Sequence, residues 1–117
     1  MFFRKKKKKQ QRKRRRKPFD LLTANGGLEA EIWEYGYPDS DYYFRTFSLS
    51  RVARAGINNR KEDKRFFSFR AADIENLISL LALICDWFQD DKELTPGARH
   101  RVKELGDALA TILDDAE

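Results

Sequence analysis

The 117-residue sequence predicts an α+β fold: a three- or four-stranded antiparallel meander packed on a long helix, followed by a second C-terminal helix. Three observations carry that expectation. Apolar and polar side chains alternate with period two in runs between residues 28 and 70; the period becomes helical from Ala71 to Phe88; and a narrower helical seam follows Thr95-Pro96. Charge sets the boundary in front of the fold. Residues 1–17 hold 12 Lys/Arg and no acid, which leaves 12 basic against 19 acidic side chains in the rest. The net charge of +5 therefore joins a strongly basic segment to a folded part with a balance of −7. Like charges at this density repel and have little to bury. Residues 1–18 are accordingly expected to form a disordered polybasic arm, and residues 19–117 a single domain.

Pro18 closes the arm, Phe19-Asp20-Leu21-Leu22 tacks the chain onto the domain, and Asn25-Gly26-Gly27 signals a turn. In the first strand, Leu28 to Tyr35, Leu28, Ala30 and Ile32 fall on one side and Glu29, Glu31 and Trp33 on the other. Gly36 to Asp41 turns the chain into a second strand, Tyr42 to Arg51. Its Tyr43, Phe47 and Leu49 oppose Tyr42, Phe44, Thr46, Ser48 and Ser50. The third strand, Lys64 to Arg70, opposes Phe67 and Phe69 to Phe66 and Ser68. Residues 52–57 have room for a fourth strand, but their pattern is poor.

The helix from Ala71 to Phe88 carries Ile74, Leu77, Leu81, Ile84 and Phe88 on one face, widened by Leu80, Leu83 and Trp87. Asp73 and Glu75 occupy its first turn, where carboxylates meet the positive end of the helix dipole. A stripe this wide should bury against the sheet and against a second element. Thr95 and Pro96 read as the cap and first residue of another helix, with Val102, Leu105, Leu109 and Ile112 or Leu113 as its seam. A chain this short builds a modest core, so a homodimer is expected.

The succession Ile32-Trp33-Glu34, Phe44 to Arg51, Phe66 to Phe69 and Leu77 to Trp87 resembles small bacterial proteins of the single-stranded-DNA-binding transcriptional coactivator and Whirly-like superfamily. The resemblance spans roughly residues 28–88 and lies in strand–helix order and short patterns. It implies a curved antiparallel sheet followed by a helix, units that dimerise or otherwise associate, and binding of single-stranded nucleic acid.

The residues themselves give catalysis little to work with. His100, the one histidine, lies between Arg99 and Arg101, and no zinc-ligand spacing surrounds it. Cys85 sits in the most apolar stretch without basic neighbours, as a buried thiol in a reducing compartment would. Asp90-Asp91 and Asp114-Asp115 read as solvated acid, and Gly26-Gly27 has neither the P-loop lysine nor the dinucleotide-binding spacing. Neither enzyme activity nor a cofactor or metal is expected. No apolar stretch follows the basic run as a secretory signal requires, and Leu77 to Cys85 is too short to span a bilayer. A soluble cytoplasmic protein is expected, nucleoid-associated in a bacterium.

Binding has better candidates. Within the folded part, residues 42–70 alone are basic, with a balance of +6, whereas residues 18–41 carry six acids and no Lys or Arg. Trp33, Tyr42, Phe44 and Phe66, with Lys64 and Arg70, are the candidate stacking and phosphate-binding residues of one sheet face, and Arg45 and Arg51 of the same basic stretch are further candidates for nucleic-acid binding. Arg12, Lys13, Arg14, Arg15, Arg16 and Lys17 of the arm would add electrostatic affinity for DNA, RNA or, less favoured, an anionic membrane surface. The competing expectation is that the aromatics form a second core layer in a homodimeric structural or protein-interaction module, with a merely polyanion-binding tail.

Overall fold

A computed structural model of the chain describes residues 17–37, 39–56 and 62–115. Arg12, Lys13, Arg14, Arg15 and Arg16, and with them the expected disordered arm, lie outside the described residues. The alternation read from the sequence produces a four-stranded sheet in which β1 (Asp20–Ala24), β2 (Leu28–Gly36), β3 (Tyr43–Ala53) and β4 (Lys64–Phe66) stand in chain order. All three pairings are antiparallel, with Leu22 opposite Ala30, Ala30 opposite Leu49, and Arg51 opposite Phe66. Helix α1 (Ile74–Phe88) packs on one face, mainly against β1 and β2, and α2 (Pro96–Asp115) packs on α1.

The core sits where the even-numbered side of β2 meets α1. Leu28, Ala30, Leu80 and Ile84 are buried together, with Leu22, Ala24, Leu49, Phe69, Leu77 and Phe88 packed around them. The breadth of the α1 stripe follows from its place between the sheet and α2. At the helix crossing a Cβ added to Gly106 would come within 2.9 Å of Cys85 Cβ, so the missing side chain sets how closely the helices approach. Each helix starts on a hydrogen-bonded side chain. Asp73 Oδ2 accepts the Arg70 backbone N–H (2.9 Å) ahead of α1, and Thr95 Oγ1 accepts the Ala98 N–H (3.2 Å) at the start of α2.

Three strand assignments differ from the sequence pattern. Phe19 to Leu22 does more than tack the chain down, because Asp20–Ala24 is a paired edge strand. Consecutive Leu21 and Leu22 blur its alternation, although only Leu22 and Ala24 turn to the core. Val52 and Ala53 end β3 instead of opening another strand, and residues 57–61 lie outside the described residues. β4 stops at Phe66, after which Phe69 packs on the core and Phe67 stays exposed. The β1–β2 turn needs its glycines. Gly27 has φ +76°, and a Cβ there would lie 2.6 Å from the Val52 carbonyl oxygen.

Candidate nucleic-acid interface

Odd-numbered residues of β2 point away from the helices, and register places Glu29 opposite Ser50, Glu31 opposite Ser48, Trp33 opposite Thr46 and Tyr35 opposite Phe44. The first half of this open face is ionic. Glu29 and Glu31 are only 1% and 2% exposed. Arg65 Nη1 donates to Glu29 Oε1 (3.0 Å) and Ser50 Oγ (3.1 Å) and lies 3.6 Å from Glu31 Oε1. Arg54 pairs with the other Glu29 oxygen and donates to Asp63 Oδ2 (3.0 Å). The Ala55 backbone N–H, then the Arg54 guanidinium, holds the Asp63 carboxyl below its ordinary range. This cluster ties Arg54, just after β3, and Arg65 of β4 to the centre of the sheet, since a buried carboxylate is tolerated only with such partners.

The second half of the face is aromatic. Trp33 Nε1 donates to Ser48 Oγ (3.2 Å). Beyond it the hairpin carries Tyr35, Tyr37, Tyr42 and Phe44 as a ladder of rings. Tyr35 stacks on Phe44 at 5.4 Å between centroids and Tyr37 on Tyr42 at 5.6 Å, while Phe44 lies 6.1 Å from Tyr37 and 6.4 Å from Tyr42. Each ring holds its neighbour in place, which lowers the entropy a ligand must remove to use the surface. Tyr35, Tyr37 and Tyr42 are 38%, 57% and 47% exposed. The turn is tight: Tyr42 N–H meets Ser40 Oγ (3.0 Å), and Asp39 adopts φ +63°.

Three of the aromatics expected from sequence, Trp33, Tyr42 and Phe44, thus share the open face. Phe66 does not. Its pairing with Arg51 puts Phe66 and Lys64 on the helix side, where Arg51 lies 4.5 Å and Lys64 5.3 Å from the Phe66 ring. Side chains alternate strictly, so a one-residue change of parity moves the whole set, and Arg65 takes the open face instead. Arg45 also faces the helix side. Its Nη2 lies 2.9 Å from Glu34 Oε2, and its guanidinium stacks over Phe19, Tyr43 and Trp87 at 4.7, 5.0 and 5.3 Å. Arg51 lies 3.8 Å and Arg70 3.4 Å from Asp73. Lys17 is exposed just before β1. Sequence reasoning missed Tyr35 and Tyr37, although continuing the Glu29-Glu31-Trp33 alternation by two steps finds both.

Other reactive side chains have structural surroundings. Cys85 is buried, and burial pushes its thiol above the ordinary value. His100 is exposed beside Glu104 (2.9 Å), one turn along α2. Among the described residues no group of His, Cys, Asp and Glu could hold a metal ion, and no helix is long and apolar enough to cross a membrane. Comparison of the chain with protein-family models, curated proteins and solved structures finds no match.

Proposed function

We propose that the protein binds single-stranded nucleic acid without strong sequence preference, stacking bases on the hairpin rings while the basic arm meets phosphates. The observation that carries this reading is the ladder of exposed Tyr35, Tyr37 and Tyr42 around the half-buried Phe44 on the sheet face opposite the helices. Stacking accepts every base because every base has a π-face, and is worth about 1–3 kcal/mol per base. Four arginines of the sheet region are engaged: Arg45 with Glu34, Arg54 and Arg65 with Glu29, Arg70 with Asp73. The densest source of phosphate attraction is then the 12 Lys/Arg of residues 1–17. The strand–helix order of the sequence also resembles that of single-stranded-DNA-binding coactivators, which supports the same class.

The test is a salt titration of fluorescent oligothymidine and of a duplex. Deleting residues 1–16 should weaken binding and flatten the salt dependence, by about 0.7 log units per lost phosphate contact on single strands, while leaving a preference for single strands. Tyr37→Ala with Tyr42→Ala in the full chain should keep the steep salt dependence and lose that preference. An armless domain that binds neither form at low salt, together with an unaffected double variant, would remove the proposal.

One observation favours a second reading, a homodimer built on the helix side. Ile74 and Leu81 lie seven residues apart on α1, and Leu105 and Ile112 seven apart on α2, so each pair occupies one helix face; all four are exposed, as is Phe47 of β3. Leu80 of α1 is buried in the core and takes no part in that exposed face. Sedimentation that shows only monomer well above micromolar concentration would discard the dimer.

A further inference from the structure

We propose that the outer edge of β3 is a self-association surface, through which two copies of the chain pair antiparallel from Tyr43 to Leu49 and join their sheets into one. The contact stands on backbone geometry and is independent of the binding reading above.

The first observation is an open edge. β2 covers one side of β3 from Tyr43 to Arg51, but β4 covers the other side only at Arg51, Val52 and Ala53. The hairpin decides which backbone groups face outward. The Tyr37 N–H donates to the Tyr42 carbonyl (3.5 Å), so these two residues form a hydrogen-bonded pair. Alternation along an antiparallel ladder then sends the groups of Phe44, Thr46, Ser48 and Ser50 toward β2. The Val52 carbonyl, which faces Gly27, keeps the same parity. Tyr43, Arg45, Phe47 and Leu49 therefore turn N–H and C=O outward, and among the described residues nothing hydrogen-bonds to those groups. The second observation is what this edge lacks. Proteins close their edge strands with lysine, proline, bulges or inward charge. On β1, across the sheet, Asp20 Oδ1 takes the Leu21 N–H (2.8 Å). Tyr43 to Ser50 holds no Pro or Lys, and its one charged residue, Arg45, is paired with Glu34. The third is an apolar wall beside the edge. Phe47 is 47% exposed and meets Phe88 at 5.4 Å between centroids, and with Leu94 these rings line an open pocket of about 390 Å³.

A second copy of the same edge suits it. A two-fold axis at Thr46 sets Tyr43 opposite the other copy's Leu49 and Arg45 opposite its Phe47. All the outward residues then exchange both groups, about eight hydrogen bonds in all. The ends of the strand agree with this register: β3 begins at Tyr43 and β4 takes over the edge at Arg51, so the paired stretch fits between them. The side chains agree too. Thr46 meets its own counterpart, and Arg45 meets a ring instead of another cation. The neighbouring registers of the same parity fail, because one opposes Arg45 to itself and the other sets Tyr43 against Arg51, where β4 already sits. An axis perpendicular to the sheet keeps both copies' ring ladders on one face. On the binding reading, a single strand then meets two platforms.

The experiment is disulfide trapping in the folded full chain, in a Cys85→Ala background with oxidised glutathione. Thr46→Cys sets two thiols opposite each other in a non-hydrogen-bonded pair, where Cα atoms lie about 4.5 Å apart and a disulfide closes. Ser48→Cys lies on the same face, but the register holds it about 14 Å from its counterpart. The covalent dimer of Thr46→Cys should form at least about ten-fold faster than that of Ser48→Cys; equal rates, or no dimer from Thr46→Cys, overturn the pairing. Amide exchange of the unmodified chain supplies a second reading. As concentration carries the protein into the dimer seen by sedimentation, the N–H groups of Tyr43, Arg45, Phe47 and Leu49 should slow several-fold, because each becomes hydrogen-bonded. A dimer held by its helix faces leaves these four exchanging as before. That result, or a chain that stays monomeric well above micromolar concentration, overturns the proposal.

Discussion

The first five residues of β2, Leu28 to Ile32, are buried on both faces, but by different physics. Leu28, Ala30 and Ile32 are removed from water by α1 and its surroundings, while Glu29 and Glu31 between them are buried with Arg54 and Arg65. Burial on the first face is non-directional and scales with apolar area, so it tolerates imperfect geometry. On the second it depends on named partners, because a carboxylate in a low-dielectric site is costly unless paired. A strand sealed on both sides makes a rigid base from which the hairpin projects its tyrosines. Burial is concentrated in residues 28–32, and the candidate binding surface begins where that stretch ends.

The sharpest way to break this contrast is to delete one side chain on each face and compare urea midpoints. Leu28→Ala should cost about 2–5 kcal/mol through lost transfer energy and the cavity it leaves. Glu29→Ala should cost less, about 2–3 kcal/mol, because half of the Arg54 side chain already reaches solvent. The signature of the ionic face is coupling: in a double-mutant cycle Glu29 and Arg65 should interact by about 1 kcal/mol or more, whereas Leu28 and Arg65 should add independently. Next in size is Gly106→Ala at the helix crossing. Its new Cβ meets Cys85 Cβ at 2.9 Å, and such overpacking should cost about 1–3 kcal/mol in the same urea assay without altering oligonucleotide binding, since α2 is absent from the ladder.

A smaller effect is expected below neutral pH. The Arg70 backbone N–H, then its side chain, holds the Asp73 carboxyl below the ordinary range, and Asp73 helps to start α1. Because the folded value is depressed, this stabilisation is complete above the unfolded value of about 3.9 and is lost as pH falls through the folded one. Asp73→Asn should therefore be less stable than the parent chain at neutral pH. The gap should close as the parent's Asp73 becomes protonated below about pH 4, a change that acid–urea titrations would follow.

Much of the fold is local and therefore legible. The alternation of Leu28 to Tyr35, the apolar stripe ending at Phe88 and the Thr95-Pro96 helix start each depend on neighbours within a few residues. What escaped the sequence is non-local. β1 is revealed by its pairing with β2 because Leu21-Leu22 hides its period. The side on which Phe66 falls depends on the β3–β4 register, which no pattern within Lys64 to Arg70 encodes. Glu29 looks like a solvent-facing acid until Arg65, 36 residues away, is seen to reach it. In the candidate site, Trp33, Tyr42 and Phe44 were legible from parity along single strands. Lys64 was not, because the β3–β4 register carries it with Phe66 to the helix side, while the opposite parity of Arg45 and Arg51 to Phe44 is readable along β3 itself. Composition located the basic segment correctly, but orientation distributes its charges between the two faces.

The claim that bases stack on the open face is tested most directly by photocrosslinking the full chain to an iodouracil-substituted single strand and mapping the adducts by mass spectrometry. Crosslinks of this kind form where a base lies on an aromatic ring. The account predicts adducts on Tyr35, Tyr37, Tyr42 or Phe44, lost when unlabelled oligothymidine competes. Adducts confined to the helix-side rings Tyr43, Phe47 and Trp87, or to the arm alone, would contradict it.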